Sequence, residues 1–249
     1  MRKVLIWTGA FLGLLIVGAI VTGLILNEPL PEGKEGPEAD ALARKMLSAI
    51  DMEAWDTTGV VQWNFSGMHE FLWDKERNFV EVKWDGMDVI LHTKTLTGKA
   101  WKNEVELKES EKEAALQKAW AFFCNDSFWL NAPAKVFDPG TKRSLVTMKD
   151  GTEALLLTYT SGGVTPGDSY LWILDENGLP QKWKMWVNII PIGGVPTTWE
   201  NWVTLPTGAK LASSHKISSI TLNIDDIKGA RHLSDLVQED PFSALVNEQ

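Results

Sequence analysis

The chain is poor in the groups that do chemistry. It has one cysteine, two tyrosines and four histidines among its 249 residues. A single cysteine excludes an intrachain disulfide, and Cys124 lies too far from the N-terminus to be a lipobox. It follows an aromatic run and reads as a small packed hydrophobe rather than half of a Cys/His nucleophile pair. His69, His92, His215 and His232 have no neighbours at metal-ligand spacing. His69-Glu70 begins like a zinc-protease motif, but Trp73 stands where the second histidine would be. No Gly-x-Ser-x-Gly elbow, Walker A loop or dinucleotide fingerprint occurs. The expectation is a non-enzyme, with no catalytic residues, no metal and no cofactor.

Basic charge is short as well. Lys and Arg number 24 against 33 Asp and Glu, for a net charge of −9. Setting aside Arg2 and Lys3 leaves the rest at about −11. Such a balance argues against nucleic acid and against adhesion to anionic headgroups. Any lipid contact must then go through apolar surface.

Apolar runs are not short. Val4 to Leu26 contain no charge and no proline. At about 1.5 Å per residue, that run is long enough to span a bilayer as a helix. Arg2 and Lys3 precede it and Glu28, Glu32 and Glu35 follow, so the positive-inside bias puts the remainder outside the cytoplasm. A cleavable signal peptide is the rival reading, although no A-x-A site precedes Asn27. The expected organisation is a transmembrane anchor over 1–27, a Pro- and Gly-rich tether over 28–36, an exported domain over 37–232, and an acidic tail over 233–249. That tail reads as loose or weakly helical. The expected location is a bacterial cell envelope, with a single-pass inner-membrane anchor and the domain in the periplasm.

Tryptophan is the outlier, at 13 residues. Three of them stand among the large apolar residues of four alternating segments: Val61/Trp63/Phe65, His69/Phe71/Trp73, Val80/Val82/Trp84 and Val89/Leu91. Side chains alternate across a strand, so each set shares one face. The connections Ser66-Gly67, Asp74 to Asn78 and Asp85-Gly86 are short enough to make an antiparallel meander. Gln62, Asn64, Glu70, Glu81 and Lys83 fall on the opposite face.

Helical periodicity flanks the meander. Pro37 to Met52 carries a stripe of Leu42, Met46, Ala49 and Ile50, with Pro37 suited to a first turn. Ser110-Glu111-Lys112-Glu113 has the form of a capping box and opens a second helix to about Cys124. Its apolar side is Leu116, Ala119, Trp120 and Phe123. Later strands alternate at Leu155/Leu157/Tyr159, Trp183/Met185/Val187 and Ile220/Leu222/Ile224, with a hairpin turn at Asp175 to Gly178. The Ser161 to Asp168 loop is either a wide hairpin or a set of backbone N–H groups open to an anion. These elements predict an α+β fold: a strongly curved antiparallel sheet or open β-barrel with helices on its concave face, preceded by one transmembrane helix.

The segments Phe71-Leu-Trp73, Phe79 to Trp84-Asp-Gly86 and Asp126-Ser-Phe-Trp-Leu130, in this element order, resemble the LolA/LolB-like periplasmic lipoprotein-carrier superfamily, a fold also used by RseB-type sensors. The likeness spans roughly Ala39 to Ile224 and carries no diagnostic site motif. It implies a module that binds a lipid, an acyl chain or another apolar ligand between sheet and helices. The candidate ligand-binding residues are Val61, Trp63, Phe65, Phe71, Trp73, Val82, Trp84, Leu116, Trp120 and Phe123. One departure is plain: the carriers shuttle, whereas a chain fixed by Val4–Leu26 cannot. The alternative is a protein-interaction or envelope-sensor domain with a filled core, its partner unknown.

Overall fold

The computed structural model describes residues 27–161 and 166–246. The anchor expected over Val4–Leu26 therefore lies outside the described residues, as does the centre of the Ser161 to Asp168 loop. Among the described residues, no helix is long and apolar enough to cross a membrane.

The chain forms α1 (Pro37–Ala49), α2 (Met52–Thr57), then β1 (Val60–Phe65), β2 (His69–Asp74), β3 (Phe79–Trp84), β4 (Met87–His92), β5 (Gly98–Lys102) and β6 (Val105–Glu106). The long helix α3 (Glu109–Asn131) follows. Then come β7 (Thr141–Thr147), β8 (Glu153–Tyr159), β9 (Ser169–Leu174), β10 (Pro180–Trp186), β11 (Val195–Thr198), β12 (Glu200–Thr204), β13 (Lys210–Ile217), β14 (Ile220–Ala230) and α4 (Ser243–Val246). The class is α+β with large antiparallel sheets.

Those strands make two sheets rather than one. The first runs β12-β13-β14-β1-β2-β3-β4-β5-β6 and the second β11-β10-β9-β8-β7. Trp199, between β11 and β12, marks the change of sheet. Its N–H donates to Gln181 at 2.8 Å, and its ring is 1% exposed. The meander has the expected pairing, with Trp63 opposite Phe71, Phe71 opposite Val82, and Val82 opposite Val89.

Three local expectations change. The first helix stops at Ala49, because Asp51 takes a left-handed conformation (φ 56°) and its side chain caps α2 by accepting from Ala54 N–H at 3.1 Å. The Ser110 capping box does not form. The long helix starts at Glu109, which places Ser110 inside its first turn. That helix also runs past Cys124 to Asn131, because Asp126, Ser127 and Leu130 continue its buried face, and Pro133 lies just beyond its end.

The tether is docked. Lys34 pairs with Leu145 through backbone bonds of 2.9 and 2.8 Å, and Glu28 N–H donates to Gly193 O at 3.0 Å. The described part of the tail is packed too, and it carries short helical turns at Leu233–Asp235 and Ser243–Val246. Phe242 is fully buried among Val60, Leu72, Phe79 and Ile90, on the side of the meander that the alternation assigned to polar residues. Arg77 holds the tail through Asp240 at 2.7 and 3.0 Å, while its Nε donates to Asp74. Apolar area at one end of that outer face requires a cover, and the tail supplies it.

Candidate functional site

All ten candidate residues meet in one cluster under α3. Val61, Trp63, Phe65, Phe71, Val82, Trp84, Leu116 and Phe123 are buried, while Trp73 and Trp120 are half-buried against them. The strands supply the floor: Trp63 stacks on Phe71 at 4.6 Å, and both rings reach Phe123, at 6.3 and 6.4 Å. Trp73 meets Phe123 edge-on at 5.1 Å, and Trp120 lies 5.8 Å from it. Such ring pairs add to the area term. Gly98 sets how close the helix comes. A Cβ there would meet Ile90 O at 2.1 Å and Leu116 Cδ2 at 2.8 Å.

The space between helix and sheet is occupied by side chains. A hollow of about 10 Å³ lies at the far end of α3, among Trp55, Leu130, Asn131 and Trp202. That is room for about one water, not for an acyl chain. A larger, open groove of about 910 Å³ lies at the hairpin ends, where Gly67 to Glu70 and Lys83 to Asp88 approach Trp101, Asn103 and Glu104. Trp84 belongs to both the groove and the aromatic cluster, and Phe122 of α3 packs edge-on against it at 5.4 Å.

The cover is not a plain apolar stripe. Of its buried residues, Asp126, Ser127 and Asn131 are polar. Asp126 accepts hydrogen bonds from Asn125 Nδ2 at 2.8 Å and pairs with His69 Nδ1 at 2.7 Å. Burial raises its carboxyl above the usual range, and the bonds from Asn125 and His69 oppose the shift. His69 also stacks on Phe122 at 3.8 Å. This pair ties the helix to the β1–β2 hairpin, and nothing in the local sequence announced it, since its members are 57 residues apart. Cys124 is half-buried, and burial pushes its thiol up to about 11, so it stays protonated at neutral pH. Among the described residues no group of three or more His, Cys, Asp or Glu side chains gathers to hold a metal.

The C-terminal end of α3 enters a second core. Phe128 and Trp129 pack on Trp183, which meets Trp172 and Trp199 edge-on against α1. The Nε1 groups of Trp172, Trp183, Trp199 and Trp202 have no protein acceptor there. His215 is fully buried beside them with Nδ1 3.1 Å from Thr198 O, and desolvation lowers it to about 4.

No protein-family model and no curated protein matches the chain. Solved structures do. The fold is similar to that of a LolA superfamily protein from Nitrosomonas europaea, 12% identical with a TM-score of 0.41, over 80% of this chain and 98% of that one. It is also similar to a DUF1329 family protein from Desulfovibrio piger, 11% identical with a TM-score of 0.39, over 77% of this chain and 94% of that one.

Proposed function

We propose that this chain is a membrane-anchored, extracytoplasmic, non-catalytic module that takes an acyl chain or another apolar ligand between the meander and α3. In this reading the described conformation is closed, and α3 is the part that moves. What carries the reading is the mixed character of the cover. A permanent lid over Trp63, Phe71 and Trp84 would be apolar throughout, whereas this helix buries Asp126, Ser127 and Asn131 and leaves Trp120 and Phe122 half-exposed at its margin. A buried methylene contributes about 0.8 kcal/mol, so a partly inserted acyl chain could offset the aromatic contacts it displaces. The anchor is Val4–Leu26, and the location is the periplasmic side of an inner membrane.

One observation favours a second reading. The aromatic cluster is already filled, which suits a protein-interaction or sensor domain that binds at the open groove. Acidic Glu70, Asp85, Asp88 and Glu104 line that groove around Lys83, together with Met68 and Met87.

The test uses the full chain in detergent with a fluorescent fatty acid, in parallel with Trp120→Ala. Saturable uptake by the wild-type chain, altered several-fold in the variant at a moderate stability cost, is the expected result. No uptake by the wild-type chain is the behaviour of a filled core and would select the second reading.

A further inference from the structure

We infer that the Val187–Gly194 loop is a second membrane contact, lying in the boundary between lipid headgroups and acyl chains. The inference rests on the reading that Val4–Leu26 sits in a bilayer. It begins from where that segment ends. Asn27, the first residue after it, accepts a hydrogen bond on Oδ1 from Gly193 N–H at 2.8 Å. Glu28 N–H donates to Gly193 O at 3.0 Å, and Trp186 Nε1 donates to Glu28 O at 2.8 Å. The junction is built tightly. A Cβ on Gly193 would meet the Trp186 ring at 2.4 Å and Glu28 O at 2.8 Å. The loop is therefore held against the point where the chain would leave the membrane.

Its chemistry fits that place. Met185 to Trp199 hold no Asp, Glu, Lys or Arg, the longest such run outside Val4–Leu26 in a chain where such residues make up 23%. Ile189 is 76% exposed, with Pro191 exposed and Ile190 and Ile192 half-exposed beside it. The nearest charges are neutralised or buried. Glu28 is paired with Lys184 at 2.8 and 2.6 Å, and Asp168 is buried, accepting from Asn188 N–H at 2.9 Å. Ile189 is four residues from Gly193, so it stands at most about 14 Å from that clamp. An interfacial apolar segment sinks about 5–10 Å into the headgroup boundary, which is within that reach. With a net charge of −9 the protein gains nothing from anionic headgroups, and an uncharged apolar loop is the contact left to it.

The experiment uses the full chain in phosphatidylcholine/phosphatidylglycerol vesicles. Cys124→Ser provides the background, and an environment-sensitive fluorophore is attached through Ile189→Cys or Val105→Cys. Val105 is a fair control, because it is 68% exposed and apolar. It lies on the edge strand β6 of the nine-stranded sheet, whereas the Val187–Gly194 loop joins β10 and β11 of the other sheet. Lipids carrying a nitroxide near the headgroup should quench on the order of half the emission at position 189, and little at position 105, if the loop sits at interfacial depth. Weak quenching at 189, or equal quenching at both positions, in a chain that resists carbonate extraction would overturn the loop contact and leave the anchor standing. A chain washed off by carbonate would overturn both.

Discussion

Removing the ring of Phe242 should uncouple the C-terminal tail from the sheet. Phe242 is fully buried, stacked on Phe79 at 5.5 Å with 20° between the planes, and Arg77 lies 5.6 Å from its ring. Truncating a buried phenylalanine costs about 3–5 kcal/mol where the site cannot collapse. A terminal segment has the further option of leaving, so the loss is bounded by what its docking contributes. Val60, Leu72, Phe79 and Ile90 would then be uncovered in part, at up to about 1.5–3 kcal/mol each if fully exposed. The expected cost of Phe242→Ala is about 3 kcal/mol. It should appear in a urea melt of the full chain in detergent, with faster tryptic cleavage at Arg231. A change below about 0.5 kcal/mol with unaltered cleavage, the range of ordinary surface substitutions, would refute the reasoning.

Other outcomes follow from the same contacts. His69→Ala leaves buried Asp126 short of a partner and should cost about 1–3 kcal/mol by denaturant melt, while Gln at that position restores part of it. Gly98→Ala drives a methyl into Ile90 O and Leu116, so it should destabilise the chain and raise hydrogen exchange along α3. His215, held near 4 against about 6.5 when unfolded, binds its proton more weakly in the native state, so the unfolded chain takes up more protons between those values. Stability should therefore fall by about 3 kcal/mol from pH 6.5 to 4, and His215→Gln should flatten that slope. Edman sequencing of membrane-extracted protein should begin at Met1 or Arg2. A start near Leu24 or Asn27 would mean cleavage.

The meander was legible because β1 to β4 obey the period of two with short turns, and its aromatic face followed directly. The same alternation placed the polar residues on the other face and left its buried apolar patch unread. Val60, Leu72, Phe79 and Ile90 stand among polar neighbours, and their burial depends on Phe242, more than 150 residues away in sequence. The split into two sheets was hidden for a related reason. β11 (Val195–Thr198) and β12 (Glu200–Thr204) follow one another with Trp199 alone between them, and the transfer there is set by what the ring packs against, not by a break in pattern. The Asp126–His69 tie joins residues with no local signature. The end of α3 was read too early, because Asn125-Asp126-Ser127 looks like a helix stop until tertiary partners satisfy it.

The pairing of β1 with β14 has a consequence for biogenesis. Val60 lies opposite Ala230, so the middle of the nine-stranded sheet joins the two ends of the domain. The hairpins from β1 to β4 can form as soon as they emerge, but the neighbour of β1, β14, begins at Ile220, about 130 residues after β4 ends at His92. Until then the edge of β1 stands open, beside an aromatic face that α3 can only partly cover. Non-local closure of this kind slows folding and prolongs exposure of a strand template.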